Sequence, residues 1–191
     1  MTLGRIKWLA LKMLDEAPED IGEYDGLFKT YANMGYAIAV REYLRPREWR
    51  ILSMDENGCV GLLGMGISRV VELRDRQGRR IPFSISADGA AICTQARDQE
   101  LTAVCEVQYP EMDAETDEPR LPEFAHPALA DYICYRHLSC GSMAKQSRAQ
   151  FFLNSFLQQM RAIRQEGLGS VTRLNALYEA SDVRYSKARG D

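Results

Sequence analysis

At 191 residues with a formal charge of −3, the chain is long enough for one good core, or one core and a satellite. The mildly acidic balance argues against a general nucleic-acid binder, which needs a net basic surface or a basic stripe to neutralise phosphates. Apolar and charged fractions of 46% and 27% are ordinary for a globular protein, and no apolar run approaches the roughly 20 residues that span a bilayer, so no membrane partner is expected.

The first segment, Met1-Thr2-Leu3-Gly4-Arg5-Ile6-Lys7-Trp8-Leu9, is broken by charges and lacks a signal-peptide core. The expectation is a chain made and kept in the cytosol, or one that leaves by lysis. A helix is predicted from about Leu3 to Glu16, N-capped by Thr2, with Ile6, Leu9, Ala10, Met13 and Leu14 as its buried stripe. Pro18 ends it, and Asp15, Glu16, Glu19, Asp20 and Glu23 make an acidic connector.

A second helix is predicted from about Tyr24 to Leu44, stopping before Pro46. Leu27, Tyr31, Met34 and Ile38 lie on one face, Phe28, Ala32 and Ala39 on the next, and Tyr36, Val40 and Tyr43 beyond. A helix apolar nearly all round must be covered on several sides. A chain this short offers few partners, so Leu27, Tyr31, Met34, Ile38 and Tyr43 are expected to meet a neighbouring copy of the chain.

From about Trp49 to Tyr109 the pattern is β. Asp55-Glu56-Asn57-Gly58, Asp75-Arg76-Gln77-Gly78 and Ala87-Asp88-Gly89 punctuate short apolar runs as turns. In the last run Leu101, Ala103, Cys105, Val107 and Tyr109 alternate with Thr102, Val104, Glu106 and Gln108. Four to six short antiparallel strands would make a small sandwich or curled sheet. Residues 110–123 read as an acidic, proline-bearing loop exposed to solvent. A third helix is predicted from about Pro127 to Cys140 and a fourth from about Met143 to Gln165, with Phe152, Phe156, Met160 and Ile163 as the stripe of the fourth. The predicted fold is therefore α+β. A bundle of about four helices (1–47 and 121–167) carries an inserted antiparallel β domain (48–112) and an extended C-terminal tail (168–191). Fully extended, that tail spans roughly 80 Å. It is sparse in apolar residues, a composition that orders on binding.

Each chemical constellation has a plainer reading. Gly58, Gly61, Gly64 and Gly66 miss the spacing of a dinucleotide fingerprint, no Lys-Ser/Thr follows as in a P-loop, and strand sequence follows where a helix would face phosphates. Bulges and close strand approach account for them better. Cys134, His137 and Cys140 carry zinc-ligand chemistry, but steps of three and three drift around a helix, so all three cannot converge well. Asp113, Glu115, Asp117 and Glu118 begin like a calcium loop, yet the turn glycine is absent and the twelfth position is Phe124. The two histidines, His126 and His137, stand in no hydrolase motif. Five cysteines, Cys59, Cys93, Cys105, Cys134 and Cys140, are an odd number with scattered spacing and no Cys-x-x-Cys, so small buried hydrophobes are the expectation. No catalytic group, cofactor or metal is assigned.

The order of segments carries a resemblance. Ile6-Lys7-Trp8-Leu9-Ala10-Leu11-Lys12-Met13-Leu14, then Leu27 to Ala39, then a β insert closing on Val104-Cys105-Glu106-Val107-Gln108-Tyr109-Pro110, then Leu121-Pro122-Glu123-Phe124 and Leu129-Ala130-Asp131-Tyr132, resembles the head–tail adaptor (connector) proteins of tailed bacteriophages, including the tail tubular A-like and neck adaptor groups. The likeness covers about Leu3 to Ile163 and rests on order and loose patterns. It implies a non-enzymatic virion protein, made in the bacterial cytoplasm. It implies a ring, usually of twelve copies, docked beneath the portal and holding the next tail or neck protein. Double-stranded DNA would pass through the lumen without sequence readout. In several members the C-terminal segment inserts into the portal, which points here to Arg173, Leu174, Leu177, Tyr178, Val183 and Tyr185. Two other readings stand beside it. One is a small cytosolic metal-binding enzyme using Cys134, His137 and Cys140. The other is a phage DNA-binding regulator using the tail, where Arg173, Arg184, Lys187 and Arg189 are interleaved with Tyr178 and Tyr185.

Overall fold

The computed structural model describes residues 1–16, 21–139 and 141–164. The fold is α+β, as the sequence predicts, and the chain divides into two compact units. The helical unit takes residues 1–44 and 111 onward; the β unit is the insertion Arg45–Pro110.

The helical unit is built from α1 (Leu3–Leu14), α2 (Ile21–Ile38), α3 (His126–Leu138) and a fourth helix, α4, over residues 143–164. Thr2 caps α1 by accepting from the Arg5 N–H at 3.4 Å, and Asp15 closes it in the left-handed region at φ 61°. The buried stripe of α1 is Leu3, Ile6, Lys7, Ala10, Leu11 and Leu14. Leu9 and Met13, expected inside, are half-buried. The stripe is rotated toward Lys7, which the sequence pattern had no reason to bury. Its ammonium is fully covered and donates to the carboxylates of Asp25 on α2 and Glu115 in the acidic loop after the β insertion.

The centre of this unit is α3. Nine of its thirteen residues are buried, which makes it the helix covered on most sides. It packs on α1 and α2 and also receives α4. Gly35 lets α2 approach α3: a Cβ there would sit 2.9 Å from the Tyr132 ring. Tyr132 in turn packs on Phe156 of α4, ring centroids 5.0 Å apart. Asp131, buried on α3, accepts from Ser155 Oγ (2.7 Å) and Gln159 Nε2 (2.9 Å) of α4. The regular part of α2 ends at Ile38, and a π-helical turn, Ala39–Leu44, carries the chain to the β unit.

The acidic loop is not simply exposed to solvent. The Leu3 and Gly4 N–H groups, orphans at the start of α1, donate to the carbonyls of Asp117 (2.7 Å) and Glu115 (3.0 Å). Asn33 on α2 grips the Met112 backbone in both directions, at 2.9 Å each. Asp117 Oδ2 accepts from the N–H groups of Asp113 and Ala114, bonds that hold its carboxyl below the usual carboxylate range.

The β unit holds six antiparallel strands: β1 (Arg47–Ser53), β2 (Cys59–Gly61), β3 (Ile67–Arg74), β4 (Phe83–Ile85), β5 (Ala91–Thr94) and β6 (Glu100–Val107). They form two three-stranded sheets, β1–β6–β3 and β2–β5–β4. One core joins them, drawn from Leu52, Met54, Leu62, Val70, Leu73, Ile92, Leu101, Ala103, Cys105 and Val107. The alternation read along β6 is the observed one, with Leu101, Ala103, Cys105 and Val107 buried. Gly58 closes the turn after β1 at φ 76°, and a Cβ there would lie 2.3 Å from Thr94 O, so both turn and strand approach demand glycine.

The reading of all five cysteines as small buried hydrophobes fails for two of them. Cys59 and Cys93 are paired across β2 and β5 and form a disulfide, both half-buried. Spacing along the chain hid the pair, because register and not sequence distance brings them together. Cys105 and Cys134 are buried free thiols, as expected; Cys140 lies outside the described residues.

Candidate interaction face

The helical residues singled out from sequence lie on α2 and the turn after it. Leu27 is 43% exposed and Met34 38%, while Tyr31, Ile38 and Tyr43 are half-buried along the same side. Thr30 and Ala37 are exposed between them, so Leu27, Thr30, Met34 and Ala37 form an uncharged stripe at helical spacing. The opposite face holds Phe28, Ala32, Tyr36, Ala39 and Val40 in the core. Among the described residues, then, α2 is apolar on two sides and covered on one. Beside the stripe lies a hollow of about 270 Å³ lined by Lys29, Thr30, Asn33, Met34, Ala37 and Glu111. Lys29 pairs with Asp113, whose hydrogen bond raises the lysine pKa. The Arg136 guanidinium stacks over the Tyr31 ring at 5.5 Å and fixes one edge of the face.

A second exposed apolar group, missed in the sequence, sits on the β unit. Trp49 (60% exposed) and Ile51 (71%) point outward from β1, opposite Val104 and Thr102 of β6. Arg74 lies over the Trp49 ring at 5.5 Å, and with Arg80 it holds the Glu72 carboxyl below its usual range. The signal was present as the two-residue period of Trp49 and Ile51 against Arg50 and Leu52, but either set could have faced the core.

Of the three residues in the metal reading, Cys134 and His137 are described and Cys140 lies outside the described residues. The Cys134 thiol donates to Ala10 O at 3.5 Å inside the core, and burial, with the nearby Asp131 carboxylate, pushes it up to about 12. The His137 ring is met edge-on by Tyr24 and Phe28, with centroids 5.2 and 5.8 Å away, and burial lowers its pKa. His126 Nε2 donates to Leu121 O at 2.9 Å. Among the described residues no group of three or more His, Cys, Asp or Glu side chains is placed to hold a metal ion. The docking residues expected in the tail, Arg173, Leu174, Leu177, Tyr178, Val183 and Tyr185, lie outside the described residues.

Comparison with family models and with curated proteins finds no match.

Proposed function

We propose that the chain is a structural subunit of a tailed-phage neck, a head–tail adaptor that closes a ring of its own copies beneath the portal. The observation that carries this reading is the half-covered α2, whose Leu27–Met34 stripe a neighbouring copy would bury. A ring needs two different faces on each subunit, since a head-to-tail contact repeats around an axis. The α2 stripe supplies one of them. The Trp49–Ile51 group on the β insert supplies a contact for the next tail component, rich in the aromatic and arginine side chains that interfaces favour. The segment order of the adaptor family supports the same assignment. The role is geometric: subunits hold a channel open for DNA, and a mildly acidic surface lets the polyanion slide without sticking.

The test is a double substitution, Leu27→Glu with Met34→Glu. Both side chains are exposed, so the subunit is expected to fold with stability changed by about 0.5 kcal/mol or less per site. Wild-type protein mixed with portal rings is expected to give decorated rings by negative stain and native mass measurement, and the double variant none. Equal decoration by both proteins rejects the α2 contact; a wild type that stays solitary with portal rejects the adaptor role.

A further inference from the structure

We propose that Cys59 and Cys93 are a reversible thiol–disulfide couple, and that its closure is what holds the small sheet β2–β5–β4 in place. The inference goes beyond the ring reading and is tested on the subunit alone.

Three observations carry it. First, the register sets the two sulfurs together before any bond forms. Cys59 stands directly opposite Cys93, with Cα atoms 4.1 Å apart. The Cys59 backbone is spent on the turn: its N–H donates to Asp55 Oδ1 (2.8 Å) and its carbonyl accepts from Asp55 N (2.9 Å). The next rung is Thr94 N–H to Gly58 O at 2.8 Å. That pattern marks Cys59 and Cys93 as a non-hydrogen-bonded pair, the narrow site of an antiparallel ladder, where facing side chains are closest.

Second, the small sheet is short-stranded and only partly covered, with Val60 and Phe83 packed, half-buried, against the common core. Its strands are three, four and three residues long, and Ile92 is the one residue within them that is buried. Strands this short are marginal by themselves. By contrast β6 buries Leu101, Ala103, Cys105 and Val107. The disulfide closes a separation of 34 residues that contains β3 and β4, so it restrains much of the unfolded insertion as well as the folded sheet.

Third, access separates this pair from the other thiols. Cys59 and Cys93 are half-buried, within reach of a small thiol; Cys105 and Cys134 are buried. A disulfide that a small thiol can reach exchanges more readily than one sealed in a core. Closure takes two protons and two electrons from the two thiols, and a low-molecular-weight disulfide accepts them. One cysteine thiolate attacks it, releases one small thiol and forms a mixed disulfide. The second cysteine then displaces the other small thiol. Excess small dithiol runs the same steps backward. A chain made in a reducing compartment thus carries a loosely held small sheet and gains the staple on reaching an oxidising one.

The experiment uses the full-length chain equilibrated with a small disulfide or a small dithiol, then denatured, alkylated and weighed whole. Oxidised protein is expected to take up alkyl groups on three of its five cysteines, reduced protein on all five, and the change is expected to reverse on switching buffers. Five alkylated cysteines in the oxidising buffer overturn the proposal. On reduction the β unit is expected to melt about 10–20 °C lower. Amide exchange is expected to speed up in Cys59–Gly61 and Ala91–Thr94 while Glu100–Val107 keeps its protection. Cys59→Ser is expected to match reduced wild type and to ignore the dithiol. If that variant does not fold, wild type in the two buffers decides alone: identical melting and exchange in both overturn the staple.

Discussion

Asp131 is buried among apolar neighbours, yet two side chains of α4 aim donors at one of its oxygens. Burial wins over those bonds and lifts its carboxyl above the ordinary value. A carboxyl that titrates higher when folded binds its proton more tightly in the native state. Between the unfolded value, about 3.9, and the raised folded one, the native state therefore holds more protons, and stability falls as pH rises through that window. Above it the loss is constant. Asp131→Asn removes the ionisation and keeps an acceptor for Ser155. It is expected to raise stability by about 1 kcal/mol at pH 7, with the gain shrinking toward pH 4, as read by urea unfolding at both values. A loss at pH 7 would mean that the charge is needed to hold α4. Lys7 shows the other way to bury a charge. Its two carboxylate partners are half-exposed, so water screens part of the pair while the ammonium itself is fully covered.

At the scale of elements, the contact between α2 and α3 turns on Gly35. Alanine in a helix interior is favoured over glycine by roughly 1 kcal/mol. At Gly35 the new methyl would meet Cδ1 and Cγ of Tyr132 at 2.9 and 3.0 Å, and Tyr132 is itself held by Phe156. Overpacking of that kind costs about 1–3 kcal/mol, so Gly35→Ala is expected to destabilise. Gly26→Ala lies in the same helix with nothing within 4 Å of the added carbon. It is expected to stabilise by up to about 1 kcal/mol. Thermal melts of the pair separate backbone propensity from packing: the two substitutions should move the transition in opposite directions. The acidic loop is a second case of context. Read as charge it is a solvated run; in place, its Glu115 and Asp117 carbonyls complete the start of α1 and its Glu115 carboxylate completes the burial of Lys7.

For the molecule as a whole, the β unit is an insertion between Leu44 and Glu111, and each unit has its own buried set. Among the described residues the apolar core of the helical unit runs from Leu3 to Ile163. On the adaptor reading, deleting residues 168–191 is expected to leave a folded subunit, its melting temperature within a few degrees of the full chain. On the adaptor reading the same deletion abolishes binding to portal rings in a pull-down. A truncated protein that still decorates portals would remove the docking role from the tail while leaving the α2 contact to be judged separately.

By itself the sequence determined the elements and their kind. Turn residues at regular intervals marked the β insertion, the period-two run from Leu101 to Val107 named its core face, and the helical spacing of Phe152, Phe156, Met160 and Ile163 named that of α4. Those signals are local, set by backbone period and turn chemistry. The tertiary structure alone decided which helix is central, because Asp131 of α3 is satisfied by Ser155 and Gln159 of α4 and so can be buried. It decided that Lys7 is buried, since its partners stand 18 and 108 residues away. It decided that Cys59 meets Cys93, since strand register has no trace in spacing. It also decided which side of α2 stays uncovered: an apolar residue carries no label saying what will cover it, and only the filled positions around it reveal the one left open.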